Sequence, residues 1–287
     1  LVVRLSDHLG SQYNTTVLLF PEITLANPAA MQQYRGLKYT DDRSDARWLA
    51  HLFRLGVLPE GYIYPKAERA VRDLLRKRAH LVRQHTAQIL SVQNLMARNT
   101  GARLSTKRII ELTPAALQDM LPEAEPILAV TSSLAVVHGL RQQIKTLDKT
   151  VSQHLKPTPA YVQLQTVDGI GTILAPTIVL DTGAMGRCPN VGHYASYCRC
   201  VGSTKVRNGK RKGQGNVNNG NPYLECAYRE AAQCAIRFSP IVQRFYQRKQ
   251  AKSHLMMARQ AVAHKLARAC YYIMRDLVPF EVQQAFG

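Results

Sequence analysis

No acidic residue lies between Asp181 and Glu225, and acidic side chains are scarce elsewhere: Asp and Glu number 19 against 38 Lys and Arg. The resulting formal charge of +19 and a pI near 10.0 disfavour a basic ligand and favour a polyanion. Long hydrophobic runs are missing too. None approaches the ~20 apolar residues that a membrane-spanning helix needs, and no signal-peptide pattern opens the chain. Nucleic acid is therefore the leading partner class. Cysteine is absent before Cys188, and the later Cys198, Cys200, Cys226, Cys234 and Cys270 lack paired Cys-x-x-Cys spacing. Cys188, Cys198 and Cys200 with His193 could be drawn as a zinc site, but reduced thiols of a cytoplasmic protein are the expectation. An initiating methionine is also lacking. Leu1–Leu9 reads as the middle of an amphipathic helix, so a fragment is expected.

What is present is a chain of 287 residues, 46% hydrophobic, long enough for a sizeable core and more than one domain. Its centre of interest is Arg199–Leu224, which carries Arg199, Lys205, Arg207, Lys210, Arg211 and Lys212 among glycines and asparagines. So little apolar surface makes it a loop and not core. Glycine allows close backbone approach and clustered cations neutralise phosphates, so the stretch suits nucleic acid; a solvated flexible linker is the competing reading.

In chain order, Val17–Phe20 and Ile23–Ala26 read as short strands, the second stopped by Asn27-Pro28. A helix starts at Thr40-Asp41-Asp42-Arg43-Ser44-Asp45-Ala46 and runs to about Leu55. Asp42 and Asp45, three apart, share one helix face. They serve as caps and dipole partners, or as oxygen ligands for Mg²⁺. Residues 68–98 and 127–154 each form one long helical pattern, with Val71, Leu74, Leu75 and Ile89 inward on the first and Leu134, Val137, Ile144 and Val151 on the second. Paired, they make an antiparallel coiled coil with a basic outer face. Lys156-Pro157-Thr158-Pro159 reads as a linker. Leu164–Ala175, with Asp168-Gly169-Ile170-Gly171, is either an apolar turn between packed helices or a helix-hairpin-helix, in which Gly169 and Gly171 bring backbone N–H groups to a phosphate. Helices over 223–237, 239–249 and 254–276 complete the chain, the last rich in alanine.

Taken together, Ala26-Asn27-Pro28-Ala29, the segment Leu37–Ala50, Arg72-Asp-Leu-Leu-Arg76, Asp168–Gly171 and Tyr197-Cys-Arg-Cys200 with the loop after it resemble the DEDD transposases of bacterial insertion sequences, the "one-ten" family and its "eleven-eleven" subgroup. The resemblance covers essentially the whole chain. It implies an α/β plus α fold: a partial RuvC/RNase H-like domain over 1–65, a basic coiled-coil region over 66–157, and a helical C-terminal transposase domain over 158–287. It also implies a recombinase that binds DNA and a structured bridge (guide) RNA with Mg²⁺ and belongs in the bacterial cytoplasm with the nucleoid; the basic coiled coil adds the expectation of a dimer or tetramer.

Asp42 and Asp45 match the last two of the family's four metal-binding acids. The first Asp and the Glu belong on strands before Leu1, so the resemblance implies a truncated copy. Strands 17–20 and 23–26 would then lack sheet neighbours. The family's serine nucleophile is expected just before Asn208-Gly209-Lys210, where Arg207 stands. Ser203 is the candidate, Ser196 a further one, with Lys205, Arg207 and Lys210 offsetting phosphate charge. A non-enzymatic nucleic-acid-binding protein and a Holliday-junction resolvase are the alternatives.

Overall fold

The computed structural model describes residues 2–4, 23–27, 30–31, 41–155, 157–202, 204–214 and 219–287. They fall into two compact units, Leu1–Pro65 and Lys66–Gly287.

In the first unit, β1 (Val2–Arg4) pairs antiparallel with β2 (Ile23–Leu25), Val3 opposite Thr24. The expected helix over Leu1–Leu9 is thus a strand where it is described. Three apolar or long side chains in a row satisfy a strand as readily as one helical turn, and pairing with β2 decided the outcome. It also means that β2 does have a sheet neighbour. Ala26 adds a bridge to Glu60, and the Asn27 amide donates to the Pro59 carbonyl at 2.8 Å. The expected strand at 17–20 lies outside the described residues. Helix α1 (Asp42–Arg54) starts where its caps require it. Asp41 accepts from the Ser44 amide while Ser44 Oγ accepts from the Asp41 amide, a reciprocal capping box. Gly56, at φ 68°, ends the turn after α1, and Leu49 and Leu52 bury against Ala26 and Leu58.

The second unit is helical apart from one hairpin. Helices α2 (Lys66–Thr100) and α5 (Ala124–His154) pack antiparallel: Leu75 meets Val151 near one end, and Ile89, Val92 and Met96 meet Val130, Leu134 and Val137 near the other. Between them, α3 (Thr106–Ile110) and α4 (Pro114–Met120), capped by Ser105 and Thr113, bury Ile109 and Leu117 over the far end. The expected linker is short. Thr158 caps α6 (Pro159–Leu164), with Pro159 at its first position, where the missing N–H costs nothing.

A bundle follows: α7 (Leu174–Thr182), α8 (Val191–Tyr197), α9 (Pro222–Phe238), α10 (Pro240–Gln250), α11 (Leu255–Asp276) and α12 (Val282–Phe286). Its core is close-packed around Tyr194, Tyr228, Leu224 and Leu266. Ala227, Ala231 and Ala235 on α9 and Ala258, Ala263 and Ala267 on α11 are all buried, so small side chains let these two helices approach closely.

The acid-free stretch is not simply a loop. Within it, β3 (Thr204–Arg207) and β4 (Lys210–Gln214) form an antiparallel hairpin. Asn208 and Gly209 both have positive φ, 52° and 71°, as a two-residue type I′ turn requires. Composition pointed to a loop because the flanks are cationic, whereas turn chemistry needs only the Asn-Gly pair.

Candidate nucleic-acid interface

The hairpin presents the chain's densest cations on the least apolar backbone. Lys210 and Lys212 are exposed; the side chains of Lys205, Arg207 and Arg211, and residue Ser203 itself, lie outside the described ones. A register shift between Lys205 and Val206 sets Lys205 opposite Gly213 and Val206 opposite Arg211, leaving Lys212 as an extra residue on β4. Such a bulge increases twist and re-aims side chains. Arg207 ends β3, directly before the turn. Ser196 is exposed on α8.

The hairpin's return leg is anchored at a buried acid that sequence reasoning passed over. Asp181, at 1% exposure near the end of α7, accepts from Arg72 Nε at 2.8 Å and also pairs with Arg76, so α2 is tied to the bundle through two cations on one carboxylate. Asn221 Nδ2 donates to the Asp181 carboxylate and to its backbone carbonyl, both at 3.3 Å. Asn221 also caps α9 and donates its own amide to the Tyr197 carbonyl at 2.7 Å. Just before it, Gly220 at φ 95° leaves no room for a side chain: a Cβ there would meet the Tyr197 carbonyl oxygen at 2.5 Å. Arg187 lies over the Tyr197 ring at 4.4 Å, and Arg76 over Tyr223 at 4.3 Å. Arg199, at the outgoing leg, donates to the Asn219 carbonyl at 3.1 Å and pairs with Glu225. Both legs are thus fixed to the bundle, and Asn208 and Gly209 at the tip are exposed. One signal for Asp181 was available: a lone carboxylate ending the apolar run Ile178-Val179-Leu180 must be paired if the helix is buried.

The turn between α6 and α7 separates two glycines that the sequence treats alike. Gly169 has φ 93°, and a Cβ there would lie 2.6 Å from the Ala231 carbonyl oxygen, so this glycine serves packing on α9. Gly171 is exposed with nothing within 4 Å of a built Cβ, so of the two it is the one open to a ligand.

On α1, Asp42 and Asp45 are exposed in the first turn and make no ion pair among the described residues. Their oxygens suit a hard cation, and first-turn acids also favour the helix dipole. Among the described residues no three His, Cys, Asp or Glu side chains gather as a metal site. Cys188, Cys198 and Cys200 are buried instead in the bundle. Burial pushes the Cys198 thiol far above its ordinary value and those of Cys200 and Cys270 to about 12, which keeps them protonated and unreactive. Beside them Tyr194 and Tyr228 share a buried hydroxyl pair at 2.7 Å, extended to Thr182 at 3.1 Å.

No helix among the described residues is long and apolar enough to cross a membrane. A search of curated proteins finds no match for the chain. Residues 162–247, from α6 through the hairpin to α10, match the model of the family described as Transposase IS116/IS110/IS902. The α6–α7 turn, the cationic hairpin and the Asp181–Asn221 anchor all lie inside that span, so over this stretch the chain is similar to the IS116/IS110/IS902 transposases.

Proposed function

We propose that this protein is the transposase of an insertion sequence, a recombinase that binds DNA together with a structured guide RNA and exchanges DNA strands. The observation that carries the reading is the coincidence of the family match with the acid-free cationic hairpin. Backbone N–H groups at Gly171 and the hairpin cations Lys205, Arg207, Lys210, Arg211 and Lys212 contact phosphates, which positions a duplex without reading its bases. In this reading 1–65 is part of a RuvC-like domain, 66–157 a coiled coil that joins two or four copies, and 158–287 the transposase domain with its helix-hairpin-helix.

The chemistry proposed is attack of a serine hydroxyl on a phosphodiester. The serine Oγ–P bond forms, a P–O bond to the strand breaks, and the serine proton leaves to base. Ser203 is the candidate nucleophile and Ser196 the second. Lys205, Arg207 and Lys210 offset the charge that grows on the phosphate oxygens. Asp42 and Asp45 would hold Mg²⁺, which supplies Lewis-acid stabilisation of phosphate oxygens when bound.

Incubation with supercoiled donor and target DNA, guide RNA and Mg²⁺ tests this. Recombinant product and a covalent protein–DNA adduct are expected, both lost in Ser203→Ala and the product lost in Asp42→Asn/Asp45→Asn. If Ser196→Ala abolishes the adduct and Ser203→Ala does not, the nucleophile is reassigned. A second reading, binding without catalysis, is favoured by one feature: Arg207 occupies the position before Asn208-Gly209 where the resemblance expects serine. Tight, salt-sensitive binding with neither adduct nor product would select it.

A further inference from the structure

The chain reverses direction after α11. Leu277 adopts the left-handed conformation at φ 56°, Val278–Phe280 returns along the helix, and α12 is pinned by Phe286, buried with its ring 5.4 Å from Phe245. This fold-back lines a half-open cavity of about 690 Å³ between α11 and the returning segment. Its volume suits a small-molecule-sized group. Lys265, Arg268 and Tyr272 line it from α11, Phe280 and Glu281 from the other side.

The walls differ in what they have left to offer. Lys265 is committed to the fold: its Nζ donates to the Ala285 carbonyl at 2.7 Å and sits 4.9 Å from the Phe245 ring centre. Partial burial and the neighbouring Lys249, Arg248 and Arg268 hold its pKa below the ordinary lysine value, a sign of concentrated positive charge. Arg268 is exposed and makes no ion pair among the described residues. Asp276 is neutralised by Arg275 through two contacts at 2.7 and 2.8 Å, which leaves Glu281 as the remaining acid of the lining. Tyr272 is 40% exposed, with the Arg275 guanidinium 4.9 Å from its ring centre and Tyr271 packed edge-on at 5.3 Å. The Phe280 amide donates to Thr166 Oγ1 at 2.8 Å, and Thr166 belongs to the α6–α7 turn, so the cavity wall is continuous with the proposed phosphate-binding face.

We propose that this cavity takes one unpaired nucleotide of a bound strand, its phosphate against Arg268 and its base on the Tyr272 ring. A cation beside an accessible aromatic ring is how proteins hold splayed single-stranded bases. A paired base is stacked inside its duplex and cannot enter. The proposal rests on nucleic-acid binding by this chain, and its test separates the two. Fluorescent twelve-residue dT and rU single strands, and a duplex of the same length, are titrated with wild type, Tyr272→Ala, Tyr272→Phe and Arg268→Gln, after circular dichroism shows that each variant is folded.

Tyr272→Ala is expected to weaken single-strand binding about tenfold while Tyr272→Phe and the duplex stay within about twofold. Arg268→Gln should lower the slope of log K against log salt for single strands by about 0.7. The dT and rU arms show whether the pocket serves DNA, RNA or both. Loss below about twofold for Tyr272→Ala, or an equal loss on duplex, overturns the pocket. Wild type binding duplex but no single strand also overturns it and leaves the transposase reading standing, whereas no binding of either removes both.

Discussion

Asp181 holds two arginines and the asparagine that caps the next helix with one carboxylate, so its removal takes an ion pair from two cations at once. The Arg72 and Arg76 side chains are only 13% and 28% exposed, so water does not fully replace the lost partner. Asp181→Ala should therefore lower unfolding free energy by roughly 3 kcal/mol, the low end for breaking a buried pair. The check is the urea midpoint, with Asp181→Asn losing less because its amide oxygen still accepts. His85 gives a pH handle. Burial first, then the Arg141 charge, lowers its pKa, and its buried Nε2 has no hydrogen-bond partner among the described residues. A base with a depressed folded pKa binds fewer protons when folded, so stability is complete above about pH 6.5 and declines as pH falls toward the folded value. Unfolding free energy measured from pH 7.5 to 5 should fall. His85→Gln should flatten part of that decline, with His264, similarly shifted by burial and Arg268, accounting for another part.

Among the elements, the α6–α7 turn shows how two glycines in one motif do different work. Gly169→Ala puts a Cβ into the Ala231 carbonyl and holds alanine at φ 93°, so a loss of about 2 kcal/mol or more is expected in thermal melts. Gly171→Ala meets open space and should change stability by less than about 0.5 kcal/mol. A nucleic-acid contact at the turn is therefore tested with Gly171 variants, since any Gly169 variant confounds binding with folding. The hairpin is two-stranded, with no third strand among the described residues, and such a ribbon is marginal in water. What holds it is its base: Gly220 wedged against α8, Asn221 on Asp181 and Arg199 on Glu225.

At the scale of the whole molecule, the 38 Lys and Arg outnumber the 19 Asp and Glu, so internal ion pairing leaves the net charge of +19 in place. Cations split into two populations. Arg72, Arg76 and Arg78 meet Asp181 or Asp148 within the unit, whereas Lys210 and Lys212 stand in solvent. Only the second population is available to a polyanion, so a duplex-binding slope of log K against log salt should drop by about 1.8 in Lys210→Gln/Lys212→Gln. Arg78→Gln should leave that slope unchanged, since its guanidinium is paired with Asp148 across α2 and α5.

The order of residues was enough by itself to place the long helices, the start of α1 near Thr40–Ala46 and the later helices of the bundle, because apolar periodicity and helix-start signals are local properties. It was also enough for the family resemblance, since motifs in sequence carry that directly. Three outcomes were decided only in three dimensions. Val2–Arg4 became a strand because β2 was there to pair with it; three residues cannot specify that alone. The basic stretch became a hairpin through Asn208-Gly209, a signal that its cationic flanks obscured. Arg72 and Arg76, on a helix expected to carry a basic outer face, meet a buried carboxylate more than a hundred positions away in the chain. Charge pairing across that distance leaves no periodic trace, and it is what fixes where the hairpin stands.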